Sequence, residues 1–94
     1  MGRKEALVED YLRRRVKELG GITRKLNYQG RKGAPDQGCF FPGGRLLLVE
    51  CKAAGEKPEP LQDEELATLR KLGFWATWTD SREGVDRILE DFLK

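Results

Sequence analysis

Residues 35–52 read Pro35-Asp36-Gln37-Gly38-Cys39-Phe40-Phe41-Pro42-Gly43-Gly44-Arg45-Leu46-Leu47-Leu48-Val49-Glu50-Cys51-Lys52. The run Leu46-Leu47-Leu48-Val49 predicts a strand from Arg45 to Lys52 that is buried on both faces, because its apolar residues do not alternate with polar ones. Pro42-Gly43-Gly44 reads as a turn, and Asp36 to Phe41 as the strand that leads into it. Together they make a hairpin. Glu50 and Lys52 are two apart on one strand and therefore share a face. Asp36 and Glu50 each stand about seven residues from the turn, which sets them nearly opposite each other.

Outward from the hairpin, the spacing of Val8, Leu12, Val16 and Leu19 predicts a helix over residues 4–19, ended by Gly20-Gly21. Ile22 to Tyr28 alternates roughly and reads as a strand, and Asn27 to Pro35, with Gly30, Gly33 and Pro35 among basic residues, as a loop. After Lys52 comes a polar loop, Ala53 to Pro60. A second helix follows over Leu61 to Leu72, with Leu61, Leu66, Leu69 and Leu72 expected on its buried side and Gly73 as its stop. Phe74 to Thr79 predicts a fourth strand. Ser81 can cap a last helix that carries Val85, Ile88, Leu89 and Phe92. The expected architecture is α/β, in the order α-β-β-β-α-β-α, with a mixed central sheet flanked by helices. No repeat, low-complexity tract or linker divides the chain, so residues 1–94 read as a single domain.

The 94 residues are 36% charged and 38% hydrophobic, a globular composition and not a disordered one. A chain this short buries only about 60% of its unfolded surface, so a second copy would add stability. The net charge of +2 excludes a histone-like protein. It is compatible with a site that needs acids for a cation and bases for phosphates, since the two cancel in the sum. Arg13, Arg14, Arg15 and Lys17 form one local basic cluster, and Arg24, Lys25, Arg31 and Lys32 another. Two cysteines, Cys39 and Cys51, without any histidine cannot build a four-ligand zinc site. Nothing calls for a disulfide. No stretch approaches the roughly 20 apolar residues of a membrane span, and no signal peptide is visible, so the expectation is an intracellular protein with no membrane partner.

Two carboxylates brought close repel each other unless a cation lies between them. Mg²⁺ prefers oxygen ligands and keeps several waters. It polarises phosphoryl oxygens and acidifies bound water, while a lysine beside it can orient that water or stabilise charge on the phosphate. Asp36, Glu50 and Lys52 together therefore suit hydrolysis of a phosphodiester. Glu-x-Lys alone is common on strands as a solvated pair; the upstream Pro35-Asp36 and the element order give it weight.

With Gly33-Ala34-Pro35-Asp36, the Gly43-Gly44 turn, Val49-Glu50-Cys51-Lys52 and Gln62 in order, the chain resembles the PD-(D/E)xK nuclease superfamily. Within it, the chain is most similar to the virus-type replication-repair nuclease (VRR-NUC) domain. The resemblance covers essentially the whole chain, and its specificity comes from the order and spacing of short motifs. It implies a restriction-endonuclease-like core. It implies that Asp36 and Glu50 bind Mg²⁺ (with Mn²⁺ as a substitute), that the backbone carbonyl of Cys51 adds a ligand, that Lys52 serves the attacking water, and that Gln62 supports the site. It also implies a glutamate on the first helix as a metal ligand. Glu9 is preferred for its distance from Gly20-Gly21, and Glu5, one turn earlier, fits nearly as well.

Arg31 and Lys32, in the Gly-rich loop before Asp36, are candidates to hold DNA phosphates, with solvated loop charges as the alternative of equal weight. Arg13, Arg14 and Arg15 wrap around their helix, so at most one or two can touch DNA. Tyr28, Trp75 and Trp78 read as core or interface residues, with Trp75, Trp78 or Phe92 as candidates for a dimer contact. The expected activity is cleavage of branched DNA, with the resemblance implying a homodimer that resolves Holliday junctions. A flap- or end-directed nuclease of the same fold, and a DNA-binding module without activity, are the alternatives.

Overall fold

A computed structural model describes residues 4–94; residues 1–3, the start of the expected domain, lie outside the described part. The elements are α1 (Lys4–Glu18), β1 (Ile22–Lys25), β2 (Gln37–Phe41), β3 (Arg45–Cys51), α2 (Pro60–Lys71), β4 (Trp75–Thr79) and α3 (Arg82–Phe92). This is the expected α-β-β-β-α-β-α order. The strands form one sheet in the order β1-β2-β3-β4. β1 and β2, and β2 and β3, are antiparallel, whereas β3 and β4 are parallel, so the sheet is mixed.

The β2–β3 hairpin pairs Gln37 with Val49 and Phe41 with Arg45. Between the last two, Gly43 and Gly44 adopt φ of 82° and 75°, a left-handed conformation that residues with a Cβ resist. The tight connection therefore depends on both glycines.

Alternation along the strands sorts side chains to two faces. Cys39 and Phe41 from β2, and Leu47, Val49 and Cys51 from β3, face α1 and α3. They pack there with Val8, Leu12, Val16, Val85, Leu89 and Phe92. Leu48 of β3 and Ala76 of β4 face the other way and pack on Leu66 of α2, with Leu26, Leu46, Leu69 and Trp78 around them. β3 is thus buried on both faces, as its sequence predicts.

Strand directions fix the ends of the molecule. β1, β3 and β4 point one way, and β2 points back. The C-terminal ends of β3 and β4 meet where Cys51 pairs with Thr79. α2 and α3 both begin just beyond that end, so the N-termini of both helices gather there.

Three expectations change. β1 stops at Lys25 and not at Tyr28. After it, Leu26 N–H still donates to the Asp36 carbonyl at 2.9 Å, but Tyr28 leaves the sheet to bond α2. On α2, Leu61 and Leu72 are 52% and 69% exposed, while Leu66 is buried. At 100° per residue they lie about 140° and 120° around the axis from Leu66, too far to share its face. Phe92 is core and not interface. It is 2% exposed and its ring packs 5.5 Å from Phe41 and 5.3 Å from Trp75 between centroids. Among the described residues no helix is long and apolar enough to cross a membrane.

This packing separates two leucines of like chemistry. Leu12→Ala is expected to cost about 2–5 kcal/mol, from reduced burial and the cavity left behind, and Leu72→Ala under about 0.5 kcal/mol. Urea denaturation of the two variants measures both, and comparable losses would contradict the placement of α2.

Candidate active site

Continuing the hairpin register one step past Gln37 and Val49 brings Asp36 opposite Glu50. Both side chains lie on the face that α2 covers, because Gln37 and Val49 face the other way. Asp36 is held from three sides. Its carbonyl accepts from Leu26 N–H at 2.9 Å, its N–H donates to Glu50 Oε1 at 3.0 Å, and its Oδ1 accepts from Cys51 N–H at 3.1 Å. The two residues therefore fix each other through main chain and side chain, with no direct carboxylate–carboxylate bond.

Glu50 Oε2 accepts from Gln62 Nε2 at 3.0 Å and pairs with Lys52 Nζ at 3.1 Å. Lys52 and Glu50 are nearly buried, with side chains 12% and 5% exposed, so this pair is shielded from the screening that makes surface pairs weak. Gln62 has a second task. Its Oε1 accepts from Glu59 N–H at 2.8 Å, half of a capping box that starts α2. The same side chain thus starts the helix and orients the carboxylate.

The loop that delivers Asp36 is tied to the same helix. Tyr28 Oη donates to Glu65 Oε2 at 2.7 Å and Arg31 donates to Glu65 Oε1 at 3.3 Å. Gly33, at φ 101°, lies so close to α2 that a Cβ would meet the Leu61 carbonyl at 2.8 Å. Sequence reasoning missed Glu65 altogether. Its position three residues after Gln62, on the same helical face, was the available signal.

The chain has clear relatives. No family model matches it. A protein named "Putative nuclease p44", from Acyrthosiphon pisum secondary endosymbiont phage 1, is 41% identical over 80 residues, which span 85% of this chain and 86% of that protein. A solved structure described as a VRR_NUC domain superposes with a TM-score of 0.88 at 39% identity, covering 95% of this chain and 97% of that one. This chain belongs to the VRR-NUC family.

Within this VRR-NUC domain the acids are strained by their surroundings. Desolvation, and then the charge of Glu50, push Asp36 up to about 7. Burial likewise raises Glu50, opposed by the hydrogen bond and charge of Lys52 and by the Asp36 N–H, with Glu5 adding a smaller upward push. Two partly desolvated carboxylates facing one another form a donor set that a divalent cation would relieve. Asp36 Oδ2 accepts no hydrogen bond among the described residues, and no buried side-chain oxygen lacks a partner, so Oδ2 reaches solvent. Cys51 can offer only its carbonyl. Its N–H points at Asp36, the carbonyl of a strand residue leaves on the same edge, and the thiol is buried in the core and pushed up by desolvation. The residues present therefore fit Mg²⁺, which takes one or two carboxylates and fills its remaining positions with water and phosphate oxygens.

Glu9 is placed differently from the expectation of a metal ligand. It is buried, but on the α1 side of the sheet, where Oε1 accepts from Gln37 Nε2 at 3.0 Å and lies 3.6 Å from Lys25 Nζ and 3.8 Å from Arg13. Among the described residues no three acids or thiols come together to hold a metal, so Glu9 does not join Asp36 and Glu50 in one cluster. Glu9 and Glu5 reach the site through their fields, the first on Asp36 and the second on Glu50. Arg31 is engaged with Glu65 and remains 69% exposed. Lys32 is exposed.

The electrostatics predict a stability effect of known sign. The folded pKa of Asp36 lies above its unfolded value, so its contribution is present in acid and lost as pH rises through about 7. In EDTA at about pH 8, Asp36→Asn is expected to melt higher than the natural chain, with the gap closing towards about pH 5. Added Mg²⁺ should raise the melting temperature of the natural chain only. A variant that melts lower across the whole range would show that Asp36 is not strained.

Proposed function

We propose that this VRR-NUC domain is a Mg²⁺-dependent deoxyribonuclease that cuts phosphodiester bonds within branched DNA, with the Holliday junction as substrate. The observation that carries the reading is the pairing of Asp36 with Glu50 across the end of the hairpin, with Lys52 on the same face. Family membership supports nuclease chemistry in general.

Asp36 Oδ2, the Glu50 carboxylate and the Cys51 carbonyl would hold the ion, which when bound polarises a phosphoryl oxygen and acidifies a water. The protein's own residues do the rest. Gln62 and the Asp36 N–H keep Glu50 oriented. Lys52 spends one N–H on Glu50 and has two more donors, which serve the attacking water or the charge growing on the phosphate. Arg31 and Lys32, on the loop that leads into Asp36, would hold backbone phosphates nearby. The water oxygen bonds to phosphorus as the bond to the sugar oxygen breaks, leaving a phosphate on one strand end and a hydroxyl on the other.

Junction resolution needs two opposed strands cut, which a two-fold dimer supplies. Exposed Leu72, Phe74 and Trp75, at 69%, 46% and 47%, form an apolar stretch suited to a second copy. The free, buried thiols of Cys39 and Cys51 suit a reducing cell interior, in the host cell or bacterium.

The test incubates the protein with Mg²⁺ or Mn²⁺ and labelled four-way junction, flap, plain duplex and single strand. Paired symmetric nicks in the junction are expected, and Lys52→Ala should lower the rate by about 10²–10³-fold. Cleavage of flaps or ends alone would replace the junction reading, and binding without cleavage would leave only a DNA-binding module. Gln62→Glu keeps an acceptor for the cap but puts a carboxylate against Glu50. A loss of activity of about 10–100-fold is expected, with a lower melting temperature at neutral pH because a third carboxylate joins the two acids, and unchanged activity would remove Gln62 from the site.

A further inference from the structure

The basic run Arg13-Arg14-Arg15 is sorted by the fold into three environments. Arg13 pairs with Asp10 at 2.7 Å and reaches Glu9 at 3.8 Å. Arg15 pairs with Glu18 at 2.7 Å and with Asp86 of α3 at 3.2 Å. Arg14 pairs with no acid among the described residues. Its guanidinium instead lies over the ring of Tyr11, 5.2 Å from the centroid.

A second arginine arrives at the same ring from another helix. The guanidinium of Arg82, the first residue of α3, lies 5.5 Å from the Tyr11 centroid, and it too has no acidic partner among the described residues. The Tyr11 ring is fixed, because its Oη donates to the Asp86 carboxylate, 2.8 and 2.9 Å from its two oxygens. Arg15 holds that carboxylate from the other side. One negative charge and three positive ones thus meet at a surface where both outer arginines are exposed.

Neither outer arginine is explained by the fold. Arg82 follows the Ser81 cap at the N-terminus of α3, where the helix dipole disfavours a cation, and no acid pairs with it among the described residues. A guanidinium held over an aromatic ring without an acidic partner keeps N–H groups free for an anion. Two such guanidinium groups at one fixed ring suit the oxygens of phosphodiester groups, which arginine binds with paired hydrogen bonds.

The position suits a strand that has left the cleft. α3 starts at the end of the sheet that holds Glu50 and Cys51. On α1, Arg14 lies two residues before Val16 and two after Leu12 of the buried stripe, so it faces outward from the α1–α3 layer. The pair therefore sits over the α1–α3 layer and not between Asp36 and Glu50.

We propose that Arg14 and Arg82, gathered at the Tyr11 ring, form a separate phosphate-binding site that grips the sugar–phosphate backbone of a duplex arm flanking the cleaved strand. The site rests on the DNA-cleavage reading above and adds to it a place for the DNA outside the cleft.

The test measures binding of a fluorescent four-way junction in EDTA across a range of salt, for the natural chain and two double variants. Arg14→Gln with Arg82→Gln removes the pair. Lys17→Gln with Arg87→Gln removes the same charge from exposed positions on the same two helices without touching Tyr11. For the first double variant the slope of log K against log salt is expected to shrink by about 1.8, or about 0.9 for each phosphate that is no longer neutralised. The second should leave the slope where it was. Both arginines are exposed and make no ion pair among the described residues, so the first double variant should stay folded, its melt lowered by no more than the loss of two exposed cation–π contacts. Tyr11→Leu, with both arginines intact but no platform, should reduce the slope in part. Equal reductions in the two double variants would reduce the effect to diffuse charge and overturn the site, as would an unchanged slope in the first. A natural chain that binds no DNA at all would overturn the cleavage reading and this site with it.

Discussion

Two carboxylates set opposite each other at the end of one hairpin are the constraint around which this domain is organised. Asp36 and Glu50 are brought together by strand register, and the register is set by a three-residue turn and a strand buried on both faces. A slip of one residue would turn the apolar side chains of β3 to the wrong faces, so the core fixes the site. The pairing is electrostatically unfavourable by itself, as the raised Asp36 shows. It persists because main-chain N–H groups of Asp36 and Cys51, the Gln62 amide and the Lys52 ammonium each bond one of the two acids. What remains unbalanced is what a divalent cation would neutralise.

The second helix holds this arrangement in place more than its small core suggests. Leu66 is its main anchor to the sheet, yet its polar residues reach both halves of the site. Gln62 holds Glu50, and Glu65 holds the loop that carries Asp36 through Tyr28 and Arg31. The N-termini of α2 and α3 lie at the same end of the sheet. Their partial positive charges favour the acids there in the free protein and phosphates when DNA is bound. The net charge is only +2, and many of the charged side chains are paired locally, as Arg15 is with Glu18 and Arg13 with Asp10.

Element order, the hairpin, the both-sided burial of β3 and the opposition of Asp36 and Glu50 were legible in the sequence. Each depends on local rules: periodicity, turn residues and alternation along a strand. The positions of Glu9 and Glu65 were not legible. Glu9 shares a helix stripe with core residues, and the sequence does not say on which side of the sheet that stripe falls. Glu65 looks like an ordinary helix-surface acid until Tyr28 and Arg31 arrive from a loop more than thirty residues earlier. Leu61 and Leu72 are exposed although they are apolar, because their angular offset from Leu66 turns them away from the sheet.

The amino-acid order by itself determined which residues could carry chemistry and which strand would present them, since those properties are set within a dozen neighbouring positions. Tertiary structure alone decided which charges are spent and which are left to act. Arg13, Arg14 and Arg15 are consecutive and chemically alike. Two of them are tied to acids, one of those across to another helix, while the third joins Arg82 on a single tyrosine ring. The difference lies in the packing of α1 against α3, and packing between elements far apart in the chain leaves no periodic mark in the sequence.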